Sequence, residues 1–453
     1  MFNPAVWAGV ATVGGSKVPE DYRRAAADDY CTNLDGFIDE AHRLNLKKSD
    51  IPMPAWVIDD PESPVGTDNG TADYWKHSCG ITEDGVQTAP DTVTYVRTTE
   101  PPYAPNQEKE AFRVCTSTIS GGSADYANLL LRRIWKDFLY RQRRWMSGPG
   151  GDLRVTKDPV ADLGMEYHYE EIGGWMREWY VYVPEQVKQN PGKPVPLVFA
   201  MHGYTCSAEI YCGNSEWYKV ADKHGFILVH PTATPGTMDA TTVASSPDNV
   251  ALPAWNFMRK APNGPDELLF FRTLLEKVCA EHTIDRTRIY ATGHSHGSVM
   301  TQVLAMSMPE VFAAAAPCSG VIFKGCGMDI RETPEFRNRK DCPLPIWMFG
   351  GEQEPWLLDH IPTNDNATGD SIRIWRGNNH LTPELPENWE DGWTVNGRWH
   401  DLHYTNADGA PMVNYTWVDY MPHATMTEMS FRIWEEFFSK FSRADGEIRY
   451  DPS

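Results

Sequence analysis

Apolar and polar residues along this chain change their rhythm near residue 165. From there, short apolar runs alternate with segments whose apolar side chains recur every three or four positions. WYVYVP at 179–184 reads as a strand closed by proline. PLVFAM at 196–201 is apolar throughout, as expected of a strand covered on both faces. Residues 217–222 suit a helix, and 226–230 a strand. Between Asp266 and Glu281, Leu268, Leu269, Phe271, Leu274, Leu275 and Val278 keep helical spacing. A strand at 288–292, a helix at 298–306, and strands at 312–316, 346–349 and 415–418 follow. The last predicted helix, 427–441, sets Phe431, Trp434, Phe438 and Phe441 along one face. Alternation of this kind predicts an α/β fold, a mainly parallel sheet with helices on both faces.

The first 150 residues match the last 150 at three places, in the same order. AVWAGVA from Ala5 resembles EVFAAAA from Glu310, PAWVI from Pro54 resembles PIWMF from Pro345, and RIWKDF from Arg133 resembles RIWEEF from Arg432. The offsets are 305 (311 − 6), 291 (347 − 56) and 299 (432 − 133), which modest insertions explain. Residues 1–150 therefore read as a degenerate half-repeat placed before a complete domain at 160–453. An unrelated α/β cap is the alternative.

Charge and composition exclude some partners. With 62 acidic against 41 basic residues the net charge is −21, a surface that repels nucleic-acid phosphates and anionic lipid. No stretch reaches the ~18 apolar residues of a membrane span. The opening MFNPAVWAGVATVGG has no basic residue ahead of its apolar stretch, so it is a poor signal peptide. As written the chain reads as cytoplasmic, and as exported if its native start lies further upstream. The nine cysteines show no metal-ligand spacing and read as free thiols. In an exported protein Cys206 with Cys212, or Cys326 with Cys342, are the pairs to suspect. No metal or organic cofactor is implied.

Chemistry enters at Gly293-His294-Ser295-His296-Gly297, a G-x-S-x-G sequence between a predicted strand and a predicted helix. A serine at such a turn takes a strained backbone, and the flanking glycines relieve crowding. A serine nucleophile needs a base, and the base an orienting carboxylate. After the strand PIWMF comes Gly350-Gly351-Glu352-Gln353-Glu354, where Glu354 is the first choice of acid, Glu352 the second and Asp359 the third. His423 lies between the last predicted strand and the last helix and is the expected base; His360, His380, His400 and His403 compete from a polar, Trp-rich stretch. Met201-His202-Gly203-Tyr204 ends another strand, and the Tyr204 N–H, with Thr205 as alternative, would join the His296 N–H in an oxyanion hole. His202, Trp255 and Trp356 are assigned to the substrate-binding surface, with Trp217 and Phe257 near the same loop ends. The side chain of His202, taken alone, reads as a brace for its loop. Aligned on the half-repeat, the acid falls in Pro61–Pro64 and the base at Ala124, so residues 1–150 hold neither.

These motifs resemble the polyhydroxybutyrate-depolymerase-like esterases, a group that includes feruloyl esterases and related carbohydrate esterases. The resemblance covers roughly 165–441 and runs through REWYVYVPEQV, PLVFAMHGY, EWYKVADKHGFILVHP, HTIDRTRIYATGHSHGS and PEVFAAAAPCSG. It implies an α/β-hydrolase fold with Ser295 as nucleophile, His423 as base and Glu354 as acid, where the family more usually has aspartate. The expected activity is hydrolysis of a carboxylic ester, small-molecule or polymeric, through an acyl-enzyme. A serine peptidase or acyltransferase on the same fold, and a non-catalytic binding or assembly protein, are the alternatives. The half-repeat offers a route to homo-oligomers, because a half-sheet leaves a strand edge to be covered.

Overall fold

A ten-stranded sheet organises the larger part of the chain. A computed structural model describes residues 7–12, 19–29, 47–59, 61, 70–99, 111–145, 152–236, 252–257, 264–321, 341–354, 361–381 and 392–453. The chain divides into two units, Met1–Lys157 and Asp158–Ser453. In the second unit the strands are β1 (Glu166–Ile172), β2 (Trp175–Tyr182), β3 (Val195–Met201), β4 (Ile227–Thr232), β5 (Ile284–His294), β6 (Ala314–Cys318), β7 (Ile346–Gln353), β8 (Thr394–Asn396), β9 (Trp399–Thr405) and β10 (Pro411–Pro422). Their order is β8-β9-β10-β7-β6-β5-β3-β4-β2-β1. From β4 through β10 every pairing is parallel. The antiparallel strands β2 and β1 close one edge, and β9 and β8 close the other. The exchanged positions of β3 and β4 and the run of parallel strands beyond β5 are the α/β-hydrolase arrangement expected from the sequence.

Every residue of β3 is buried, which accounts for its unbroken apolar run. In β6, Ala314, Ala315 and Ala316 have no exposed surface, and their small side chains let helix α1 (His296–Ser307) lie against the strand. The helix from Glu267 to Glu281 starts where Asp266 caps it, its carboxylate accepting the Leu269 N–H at 3.0 Å.

Boundaries differ from expectation at the C-terminal end. The strand expected at 415–418 extends to Pro411–Pro422 because β9 pairs along most of its length. The β8–β9 hairpin falls in the polar, Trp-rich stretch, for which no strand was expected. The expected last helix is α-helical at Thr427–Arg432, widens to a π-type turn at Ile433–Phe437, and ends at Phe438–Lys440. Phe441 already belongs to a hairpin, Phe441–Ala444 with Glu447–Tyr450.

The first unit has its own five-stranded sheet, in the order Val10–Thr12, Ala55–Asp59, Arg113–Thr118, Thr92–Val96, Val86–Ala89. The first three strands are parallel and the last two antiparallel. A helix from Ala124, widening over Leu129–Leu139, and a hairpin of Gln142–Trp145 with Asp152–Val155 complete it. Trp56, Ile58, Phe112 and Phe138 are buried within it.

Cys206 and Cys212 are free thiols, so they form no bridge, and Cys326, of the other suspected pair, lies outside the described residues. Among those residues no helix is long and apolar enough to cross a membrane.

Candidate active site

Ser295 stands between β5 and α1 with φ 56° and ψ −116°, a backbone conformation L-residues rarely adopt. The surrounding crowding explains both glycines of the motif. A Cβ on Gly293 would lie 2.5 Å from the Gly297 carbonyl oxygen, and one on Gly297 would lie 2.3 Å from that of Met201. The turn is pinned to β6, since the Ser295 N–H donates to the Cys318 carbonyl at 2.9 Å. The serine thus stands at the N-terminus of α1, where the helix dipole favours negative charge.

Glu354 and His423, the expected acid and base, meet at the ends of β7 and β10. Glu354 Oε2 and His423 Nδ1 are 2.6 Å apart, with the carboxyl side chain 1% exposed and the imidazole 32% exposed. It is Glu354, not Glu352, whose carboxylate reaches His423; Glu352 lies within β7 itself. The Gly351 N–H donates to Glu354 Oε1 at 3.2 Å, and the Glu354 N–H returns to the Gly351 carbonyl. A Cβ on Gly351 would lie 2.1 Å from the Met421 carbonyl oxygen. That glycine is what lets the two strand ends approach, and the GGE sequence was its only signal. The competing histidines have other partners: His400 pairs with Asp419 and stacks on Trp417, His403 bonds Asn414, and His380 meets Asp341. His360 and Asp359 lie outside the described residues.

The loop after β3 faces the serine. A Cβ on Gly203 would lie 3.1 Å from that of Ser295. Thr205, at φ 67°, donates its N–H to the Pro253 carbonyl at 3.1 Å. That bond engages the N–H of the expected alternative donor, whereas the Tyr204 N–H has no acceptor among the described residues. The Tyr204 ring lies 5.9 Å from that of His296.

Two residues assigned to substrate are placed inside the loop framework. His202 and Trp255 have no exposed surface. His202 Nε2 accepts the Ala233 N–H at 2.9 Å, its Nδ1 bonds the Gly203 carbonyl, and the Trp255 indole N–H donates to the His202 carbonyl. Burial pushes the His202 pKa down to about 3, so the ring is neutral. Both expectations of substrate contact are corrected: the residues brace the loop. Trp217 is likewise buried, and Trp356 lies outside the described residues. His296 is buried and satisfies a loop amide, its Nδ1 accepting the Trp255 N–H at 3.0 Å. Sequence reasoning gave no role to the packing of His294 on His423, ring centroids 4.6 Å apart. Burial, and then the neighbouring His423, hold His294 well below its ordinary pKa.

Glu166, Glu281 and His282 bring ligand-type atoms within 4.8 Å of one another, but two of the three are exposed and none belongs to the elbow or the acid–base pair.

Strand order and elbow define an α/β-hydrolase. Residues 181–337 match the family described as "Esterase PHB depolymerase", which bears out the resemblance read from the sequence. A feruloyl esterase B of Talaromyces stipitatus is 32% identical over 148 residues, 32% of this chain and 36% of that protein. A poly(3-hydroxyalkanoate) depolymerase C of Paucimonas lemoignei is 26% identical over 272 residues, 55% of this chain and 58% of that protein. A probable acetylxylan esterase A of Aspergillus flavus is 24% identical over 252 residues, 54% of this chain and 75% of that protein. The chain thus spans about a third to three quarters of the length of these relatives.

Proposed function

We propose that residues 158–453 form a serine esterase with a Ser295–His423–Glu354 triad. The 2.6 Å contact between Glu354 and His423, beside a serine held in a strained elbow, carries this reading. Glu354 accepts the Nδ1 proton, which leaves Nε2 of His423 basic. That nitrogen takes the proton of Ser295 as the hydroxyl oxygen attacks the ester carbonyl. The Tyr204 and His296 amides receive the developing oxyanion, and one such donor is worth about 2.7–4 kcal/mol in the transition state. His423 then protonates the departing alcohol, and water, deprotonated by the same imidazole, releases the acid from Ser295. The printed names of the relatives point to three ester classes: feruloyl esters, acetylated xylan and poly(3-hydroxyalkanoates). The substrate is drawn from these classes.

Labelling with a fluorophosphonate and mapping the modified residue tests the chemistry, alongside turnover of p-nitrophenyl acetate and butyrate. Modification of Ser295 with ester turnover, both lost in Ser295→Ala and His423→Ala, supports the reading. Folded protein that neither labels nor turns over overturns it in favour of a binding or assembly role. A p-nitroanilide hydrolysed as fast as the matching ester would point to a peptidase.

A further inference from the structure

The two sheets share more than strand order. In the second unit, β6, β7, β10, β9 and β8 form the closing half of the hydrolase sheet, followed by a helix from Thr427 and a hairpin from Phe441. In the first unit the strands starting at Val10, Ala55, Arg113, Thr92 and Val86 have the same order and directions, followed by a helix from Ala124 and a hairpin from Gln142.

A side-chain network recurs at matching places. Trp347 donates its indole N–H to Thr416 Oγ1 at 2.8 Å, Arg432 lies over the Trp347 ring and reaches Asp401, and Phe437 meets that ring edge-on at 5.7 Å. Trp56 donates to Ser117 Oγ at 2.9 Å, Arg133 lies over the Trp56 ring and reaches Asp91, and Phe138 meets it edge-on at 5.5 Å. Ser117, Arg133 and Phe138 each stand 299 residues before Thr416, Arg432 and Phe437 (432 − 133). The helix starts also pair Ser120, rather than Ala124, with His423, each four residues ahead of its helix.

The comparison exposes a difference. Trp434 is 4% exposed because the opening half of the fold covers it: Phe226 stacks on it at 4.0 Å and Tyr290 meets it edge-on. Its counterpart Trp135 is 59% exposed, with Leu131 beside it at 69%. Likewise β6 pairs with β5 on its outer side, whereas among the described residues Val10–Thr12 pairs only with Ala55–Asp59. Both surfaces are the ones an opening half would cover.

We propose that residues 1–157 are a second copy of the closing half, and that this uncovered face docks a second copy of the chain. The chain's own β5 is already paired on both sides, with β3 and β6. A second molecule offers another Val10–Thr12 edge and another Trp135–Leu131 face, and a two-fold axis sets each against its like. The helix face carries both signs, with Arg132 and Lys136 exposed near Asp125 and Asp137. Two copies can therefore form cross-pairs there despite a net charge of −21 each.

Sedimentation velocity on the full chain tests this. The expected species has twice the 51.2 kDa chain mass at micromolar concentration. It falls to one chain mass in Trp135→Glu and in Leu131→Lys, with unchanged circular dichroism. Amide exchange at Val10–Thr12 slows with rising concentration in the parent chain and not in the variants. A parent chain that stays single, or a dimer that survives both substitutions, overturns the proposal. So does a single chain that gains mass only with a different polypeptide. If Trp135→Glu fails to fold, the more exposed Leu131→Lys decides the matter.

Discussion

Glu354 holds His423 through a 2.6 Å contact at Nδ1, with the carboxyl side chain buried and the imidazole one-third exposed. A carboxylate so placed fixes the tautomer that leaves Nε2 free to take a proton. Glu354→Gln keeps the size but presents an amide, and kcat for an activated ester is expected to fall about 10³- to 10⁴-fold with KM little changed. Glu352→Gln should leave kcat within a few-fold of the parent. Steady-state kinetics of the two variants separate the two candidate acids.

Gly297 and Gly122 give opposite expectations for one substitution. A Cβ on Gly297 meets the carbonyl oxygens of Met201 and His202 at 2.3 and 2.6 Å, and backbone cannot easily withdraw. Gly297→Ala should cost about 3 kcal/mol or more and abolish turnover. At Gly122 nothing lies within 4 Å, so Gly122→Ala should stay within about 0.5 kcal/mol. Denaturant unfolding measures both.

Acid should destabilise the second unit through its buried histidines. His202 is pushed from 6.5 down to about 3, and His230 to about 4, each mainly by burial. Below pH 6.5 the unfolded chain takes up protons that the folded chain refuses. Stability from each ring is therefore full above pH 6.5 and is lost as the pH falls towards 3 or 4, at no more than about 1.4 kcal/mol per pH unit per ring. His202 cannot accept that proton cheaply, because Nε2 already receives the Ala233 N–H. The denaturation midpoint of His202→Gln, lower at neutral pH, should fall less steeply between pH 6.5 and 4. An unchanged slope would remove His202 from the account.

Arg177 and Glu267 form a buried pair at 2.7 Å, 1% and 2% exposed. The other carboxylate oxygen of Glu267 accepts the Asn256 N–H at 3.0 Å. One residue away, Trp255 donates its N–H to His296. Glu267→Gln leaves a buried guanidinium without its counter-charge and should cost about 3–5 kcal/mol. Thermal unfolding checks the cost. A fall in kcat is expected with it, because the same loop holds His296, the His202 carbonyl and the Thr205 N–H around the serine.

The elbow was legible because its requirements are local: a strand, five residues and a helix are written consecutively. The acid–base pair was legible at the level of loops, since each follows a recognisable apolar strand. Which way a side chain points is not local. Trp255 and His202 stand at loop ends, as a substrate surface would need, yet both turn inward and spend their polar atoms on backbone groups. The β8–β9 hairpin escaped notice because its strands carry almost no aliphatic residues, Val395 alone in β8 and Leu402 alone in β9, while His400 stacks across on Trp417 of β10. The similar offsets of the Trp and Arg motifs, 291 and 299, hinted at the likeness between the units, while the hydroxyl that completes each network differs, Ser117 in one and Thr416 in the other.

Ser295 precedes β6, whereas Glu354 and His423 follow it. A duplication that starts at β6 therefore inherits a scaffold able to hold an acid and a base, but no atom to be acylated. On the proposed duplication, what the two units hold in common is the tryptophan–arginine–phenylalanine cluster and not the elbow.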